Sequence, residues 1–441
     1  MRSQKTNIKR DTSTSAVRAA KPNLGNKERV GIRCIMEHAY PKSLKLSTAS
    51  PVSLIVHGQG VVVFGCSGEP CTLTFYNADK SNGLKVSFEF AHVQVTGLKS
   101  LEPFTDVNNK KGLSNLAGAY YWFSLDSQNQ RFYAGVGEPR LETAVYTYTF
   151  SDANKVLWES NKGFLESLVS VELSASVTPQ RLLRDPVTLK VPLVVKNTNE
   201  LTMNDVAKGE VLPHSNLSSA GQQLYDCVSG RRFVLNDVDF PDFAKAIEYS
   251  IATPGLWCNT RLKEKANEFS KDKPNEKETY LRITLGENNG ESPGVPYVME
   301  IWPVGHFSPV HSHSSANAVI RVLHGGIHVS LFPFLSSGST DAGGVEPFGA
   351  ADFSTGDITW ISPTLNQTHQ LKNLDSNKDT CITIQCYNYD NTDKYHYDYF
   401  DYIDAAGKIQ QYEPDSDMDF VKFKNLMKQE WVARPCNRWF Y

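Results

Sequence analysis

Gly305-His306-Phe307-Ser308-Pro309-Val310-His311-Ser312-His313 is the stretch on which the reading of this 441-residue chain turns. An apolar run, Tyr297-Val298-Met299-Glu300-Ile301-Trp302, precedes it and reads as a buried strand ending at a Pro/Gly turn. Ala318-Val319-Ile320-Arg321-Val322-Leu323 follows as a second strand, closed by Gly325-Gly326. Alternate residues of a strand share a face, so His311 and His313 project together. With His369 on a neighbouring strand, they have the geometry of a one-metal site with open positions. Eleven histidines will also produce an occasional His-x-His by chance, so the pair alone does not establish a metal.

The spacing around the pair carries more. Gly305, five residues, His311-x-His313, then eleven residues to Gly325 resembles the first motif of the cupin superfamily. Gly356-Asp357-Ile358-Thr359-Trp360-Ile361-Ser362-Pro363, with His369-Gln370-Leu371-Lys372-Asn373 after it, resembles the second. The resemblance implies a jelly-roll β-barrel, whose first motif usually adds a carboxylate ligand. Here Asn317 and Ala318 occupy the carboxylate positions, leaving three neutral imidazoles, His311, His313 and His369. A dication held by such a set keeps its full charge and has positions free for substrate and O2. Fe(II) suits it, and Zn, Ni, Mn and Cu are compatible.

Residues 235–441 further resemble the cysteine dioxygenase (thiol dioxygenase) family. Trp302 stands before the motif glycine where that family often has Trp, and His369-x3-Asn373 matches its second-motif ending. Tyr280-x-Arg282 lies one strand earlier, where cysteine-specific members place an Arg that grips the substrate carboxylate. A guanidinium fork can hold a carboxylate bidentately, although an Arg paired across a sheet reads the same in sequence. Thr383-Ile384-Gln385-Cys386-Tyr387 falls at the family's Ser-x-His-x-Tyr relay, which implies a Tyr387 hydroxyl directed at oxygen on the metal. The chain departs from the family in three places. Ala318 replaces the cysteine that crosslinks to the Tyr in animal members, Gln385 replaces the relay His, and Asn388-Tyr389-Asp390 replaces the expected prolines. Gln385 can orient Tyr387 but cannot titrate near neutral pH.

Composition bounds the rest. Hydrophobic content of 40% and charged content of 21% are those of a globular protein, and the length predicts two or three domains. A formal net charge of -3 argues against a nucleic-acid platform, and no run of eighteen apolar residues predicts a membrane span. Eight scattered cysteines without a CxxC pattern predict reduced thiols and a cytoplasmic protein.

The expected fold is mainly β, with an N-terminal antiparallel β-sandwich, a C-terminal cupin barrel and a few flanking helices. Residues 1–30, basic and rich in Ser and Thr, read as a disordered tail, a composition that an organelle transit peptide shares. Residues 31–180 carry short strands at sandwich spacing, such as the strictly alternating Leu84-Lys85-Val86-Ser87-Phe88. An aromatic strip there, Tyr120 to Phe123 with Phe132 and Tyr133, reads as core or as the lining of a ligand groove. Residues 181–234 read as a connector. Helices are expected over 239–249, 261–269 and 415–431, and the Gly/Ser-rich loop at 335–350 reads as a lid or a surface insertion.

The resemblance implies a non-haem Fe(II) dioxygenase that converts a small carboxylate-bearing thiol and O2 to a sulfinate. Tyr387 and Arg282 would act on the substrate, supported by Gln385, Thr383, Trp302, Asn373 and Tyr280. Two alternatives stay open: a cupin lyase or isomerase using another metal as Lewis acid, and a non-catalytic binding protein. In each, the sandwich is free to bind a further ligand or protein partner.

Overall fold

The computed structural model describes residues 43–46, 51–66, 69–90, 92–98, 105–108, 113, 119–188, 190–269, 273–286, 297–313, 316–336, 345–388 and 399–435. The basic tail, residues 337–344 of the 335–350 loop, Cys34, Cys436 and the Tyr389-Asp390 pair lie outside these residues. Among the described residues, no helix is long and apolar enough to cross a membrane. The cysteines among them, Cys66, Cys71, Cys227, Cys258, Cys381 and Cys386, are all free thiols.

Four six-stranded sheets dominate the structure, and they pair into two modules. In the first, the sheet ordered Ser43–Lys45, Val177–Leu183, Gln59–Cys66, Tyr120–Asp126, Arg131–Val136, Ala144–Thr149 faces a second antiparallel sheet centred on Cys71–Asn77 and Gly83–Phe88. Alternation decides the inner face: Leu84, Val86 and Phe88 are buried while Lys85 is exposed. Tyr121, Phe123 and Phe132 of the aromatic strip pack with Phe64, Phe75 and Phe88 in this core. Trp122 is buried on the opposite face. The strip is therefore mostly core, although Tyr120 stays exposed and lines a surface groove with Val63, Gly137 and Arg181.

The second module is a jelly roll of two facing sheets. One sheet runs Ile358–Ile361, Asn317–His324, Cys381–Asn388, Tyr297–Trp302, Leu281–Leu285, Met418–Asp419. The other runs Gly349–Ser354, Gly326–Phe332, Thr368–Lys372, His311–Ser312, Phe400–Ile403, Ile409–Tyr412. The first sheet is covered on both faces, which is why Cys381–Tyr387 is buried at every position and why its strands read as continuous apolar runs. Gly325 turns the chain between two of these strands with φ +70°, and a Cβ there would stand 2.6 Å from the Thr380 carbonyl oxygen. Only glycine fits that corner.

Helices cover the outer face of the first sheet. Phe243 and Ile247 from Phe243–Ala252, Cys258 and Leu262 from Trp257–Glu264, and Phe423 and Met427 from Phe420–Ala433 pack onto Leu281, Ile283, Met299 and Ile301. The last helix is capped by Asp419, whose side chain accepts from the backbone of Val421 and Lys422. The 181–234 stretch does more than connect: its helix Ser219–Val228 places Leu224, Tyr225 and Val228 in the same core. A further helix, Lys155–Glu166, closes the sandwich and was not expected from the sequence.

Candidate metal centre

His311 and His369 meet inside the barrel because their strands pair there in antiparallel register, Cα opposite Cα. His313 follows two residues later on the same side. The rings lie 4.4 Å (His311 to His369), 5.0 Å (His311 to His313) and 5.3 Å (His313 to His369) apart by centroid. One nitrogen from each falls within 4.8 Å of the others, and all three rings are buried. Among the described residues no carboxylate joins the cluster.

Hydrogen bonds orient the rings. His311 Nδ1 lies 3.0 Å from the Pro309 carbonyl and His369 Nδ1 lies 3.1 Å from the Asn366 carbonyl. A carbonyl can only accept, so both Nδ1 atoms carry the proton and Nε2 is left free to ligate a metal. Burial holds the His369 imidazole down to about 4 and keeps His311 and His313 well below the usual histidine range, with repulsion between the rings adding to the latter two. Neutral, converging imidazoles with Nε2 exposed to a common point fit one transition-metal ion.

The wall facing them comes from the other sheet. Arg282 and Glu300 are cross-strand partners, and Tyr280, Trp302, Thr383, Gln385 and Tyr387 share their inward face. Arg282 Nη1 donates to Glu300 Oε1 at 3.2 Å, both side chains buried. Glu300 in turn accepts from Gln385 Nε2, and the Gln385 carbonyl oxygen accepts from the Tyr387 hydroxyl. Burial pushes the Glu300 carboxyl up to about 7 against the opposing pull of Arg282.

This chain alters two expectations. Arg282 is not a fully vacant fork: an internal carboxylate takes its Nη1, while its Nε has no partner among the described residues. Nor does Tyr387 direct its proton at the metal point: the hydroxyl donates to Gln385, while its ring stacks 5.3 Å from His313. Ala318 is the direct cross-strand partner of Tyr387, so the missing thioether is a matter of residue type and not of placement.

Trp302 lines the cavity and stacks on Tyr280 at 4.2 Å, an aromatic pair worth about 1 kcal/mol beyond its burial. Trp302 Nε1 and Arg282 Nε are buried donors with no hydrogen-bond partner among the described residues. Asn373 is a brace outside the cavity: its side-chain amide donates to the Trp302 and Asp379 carbonyls at 2.8 and 3.0 Å. Thr383 sits beneath Gln385, 3.4 Å from its Nε2.

The remaining cavity wall is apolar, with Ile320, Val322, Leu331, Phe353 and Phe400. Water centres can occupy about 40 Å³ of it, room for a few heavy atoms and not for a polymer. Glu300 was the functional residue hidden in the sequence. Its signal was a lone charge inside the apolar run 297–302.

Fold and site together define a jelly-roll barrel with three histidines converging inside it. No family model matches the chain. Among solved structures it is similar over 22% of its length to the ligand-free L-ribose isomerase of Cellulomonas parahominis, at 15% identity and a TM-score of 0.18, spanning half of that protein. It is similar over 25% to the cupin domain of a transcriptional regulator of Enterobacter cloacae, at 12% identity, 98% of that chain and a TM-score of 0.19. Over 33% it is similar to a galectin of Caenorhabditis elegans, at 11% identity, 96% of that chain and a TM-score of 0.24. Likeness of this degree says nothing about chemistry.

Proposed function

We propose that the barrel is a non-haem iron dioxygenase that oxidises a small thiol to its sulfinate. The observation that carries this reading is the ligand set: three buried, neutral imidazoles with no acidic partner among the described residues, opening into a narrow, mostly apolar cavity. Bound there, Fe(II) would supply undiminished positive charge and open positions at which thiolate and O2 come together. The reaction balances without a reductant. The sulfur of the thiolate gives up four electrons, both atoms of O2 end on that sulfur, and the thiol proton leaves to solvent.

The chain's own residues would bind and shield. Phe400 and the aliphatic wall exclude water from the reacting sulfur. Trp302 Nε1 and Arg282 Nε are the unpaired donors that can hold an acceptor at the far end of the thiol. Because Glu300 already compensates the Arg282 charge, that acceptor need not be a carboxylate; an uncharged carbonyl or hydroxyl fits the same donors. Gln385 keeps Tyr387 against His313 and thereby fixes the wall beside the substrate.

Oxygen-electrode assays of Fe(II)-loaded protein with a panel of small thiols test this. The expected result is one O2 consumed per sulfinate formed, and none with His311→Ala. Turnover under anaerobic conditions with a redox-inert metal would instead favour a lyase or isomerase.

A further inference from the structure

We propose that the N-terminal sandwich completes the metal centre, with Glu138 and Arg140 as positioning residues for His369. The inference rests on the reading of the three imidazoles as a metal site and assigns a task to the sandwich. Glu138 follows the sandwich strand Arg131–Val136 and reaches into the barrel. Its Oε2 accepts the backbone N–H of Asn366 at 2.7 Å and its Oε1 that of Gln367 at 2.6 Å. Arg140, only 2% exposed, donates Nη1 to Asn366 Oδ1 at 2.8 Å and Nη2 to the Val191 carbonyl at 3.3 Å.

These bonds converge on the turn just ahead of the third ligand. Asn366 is held in the left-handed region, φ +63°, and its carbonyl accepts the Nδ1 proton of His369. Its side-chain amide donates to the Trp360 carbonyl at 3.0 Å. Each polar group of Asn366 thus has a named partner, two of them supplied by the sandwich and one by His369 itself. The neighbouring strand is clamped as well. Gly137 has φ +81°, a Cβ there would stand 2.1 Å from the Pro333 carbonyl oxygen, and Pro333 follows the strand whose Leu331 pairs with His369.

Burying a carboxylate and a guanidinium is costly unless their hydrogen bonds are met. A contact serving only to hold two modules together could have been apolar. Here the Glu138 carboxylate meets two backbone N–H groups of the turn ahead of one imidazole, and Arg140 holds the Asn366 side chain of that turn while also pairing with Glu142. Partners behind a ligating histidine typically set metal affinity by about 10- to 100-fold.

The test compares full-length wild type with Glu138→Ala and Glu138→Gln. Amide hydrogen exchange on metal-free protein should show faster exchange at Asn366 and Gln367 in Glu138→Ala, with the sandwich strands unchanged. Affinity for Co(II) should fall about 10- to 100-fold, with shifted visible bands from the bound Co(II). Glu138→Gln keeps one acceptor and should lie between. Wild-type Co(II) affinity and spectrum in Glu138→Ala, or faster exchange spread evenly over both modules, would overturn the proposal. Should wild type itself take up no Co(II), the metal reading fails. The exchange data alone then decide whether Glu138 fixes the His369 turn.

Discussion

Arg282 and Glu300 face each other across adjacent strands, 3.2 Å from Nη1 to Oε1, inside the barrel and opposite the three histidines. An ion pair this deep is weak evidence of stability, because desolvation offsets the attraction, but breaking one side of it is costly. We expect Glu300→Ala to destabilise the metal-free protein by about 3–5 kcal/mol in urea unfolding, since it strands a buried guanidinium. Replacing both residues by Met should cost far less. Equal losses in the single and double variants would show that the pair is not energetically linked.

Tyr387 gives a second expectation. Phe at this position leaves the Gln385 carbonyl without its donor and loosens the wall beside His313. Thiol-dependent oxygen consumption should fall about 100-fold through misplacement of the substrate, while Fe(II) affinity stays at the wild-type level. An unchanged rate would mean that this wall does not position the substrate.

Acidification should act through the ligands. The His369 pKa is about 4 in the folded chain against 6.5 for an unperturbed histidine. The unfolded chain therefore binds the extra proton between these values, and stability present above pH 6.5 is lost as pH falls towards 4. For this one group the loss is about 3 kcal/mol. Glu138 and Glu300, both held up to about 7, act in the opposite sense, stabilising the fold as pH falls from 7 towards the ordinary carboxyl range. The His369 contribution is isolated by difference: relative to wild type, metal-free His369→Gln should gain about 3 kcal/mol between pH 7 and pH 4. A pH-independent difference would mean that the fold does not hold His369 below its ordinary value.

Much of the barrel could be read from residues alone. The apolar runs around 297–302 and 318–323 placed two strands, and the glycine and histidine spacing placed three rings on one wall. What Arg282 does could not be read this way. Its partner depends on the register that sets it opposite Glu300, and register is a property of the folded sheet. The same limit applies to Glu138, which lies 228 residues from Asn366 in sequence and carries no local signal. Three helices, Lys155–Glu166, Met203–Lys208 and Ser219–Val228, were missed for a different reason. Asn154 and Ser218 are ordinary N-caps for Lys155–Glu166 and Ser219–Val228, but each sits in a polar stretch that equally reads as a loop.

Anaerobic titration of metal-free protein with Fe(II) tests the central claim most directly. We predict saturable uptake of one ion per chain by wild type and its loss in His311→Ala, His313→Ala and His369→Ala alike. No saturable uptake, or wild-type binding in any of the three variants, would contradict a centre built from these imidazoles.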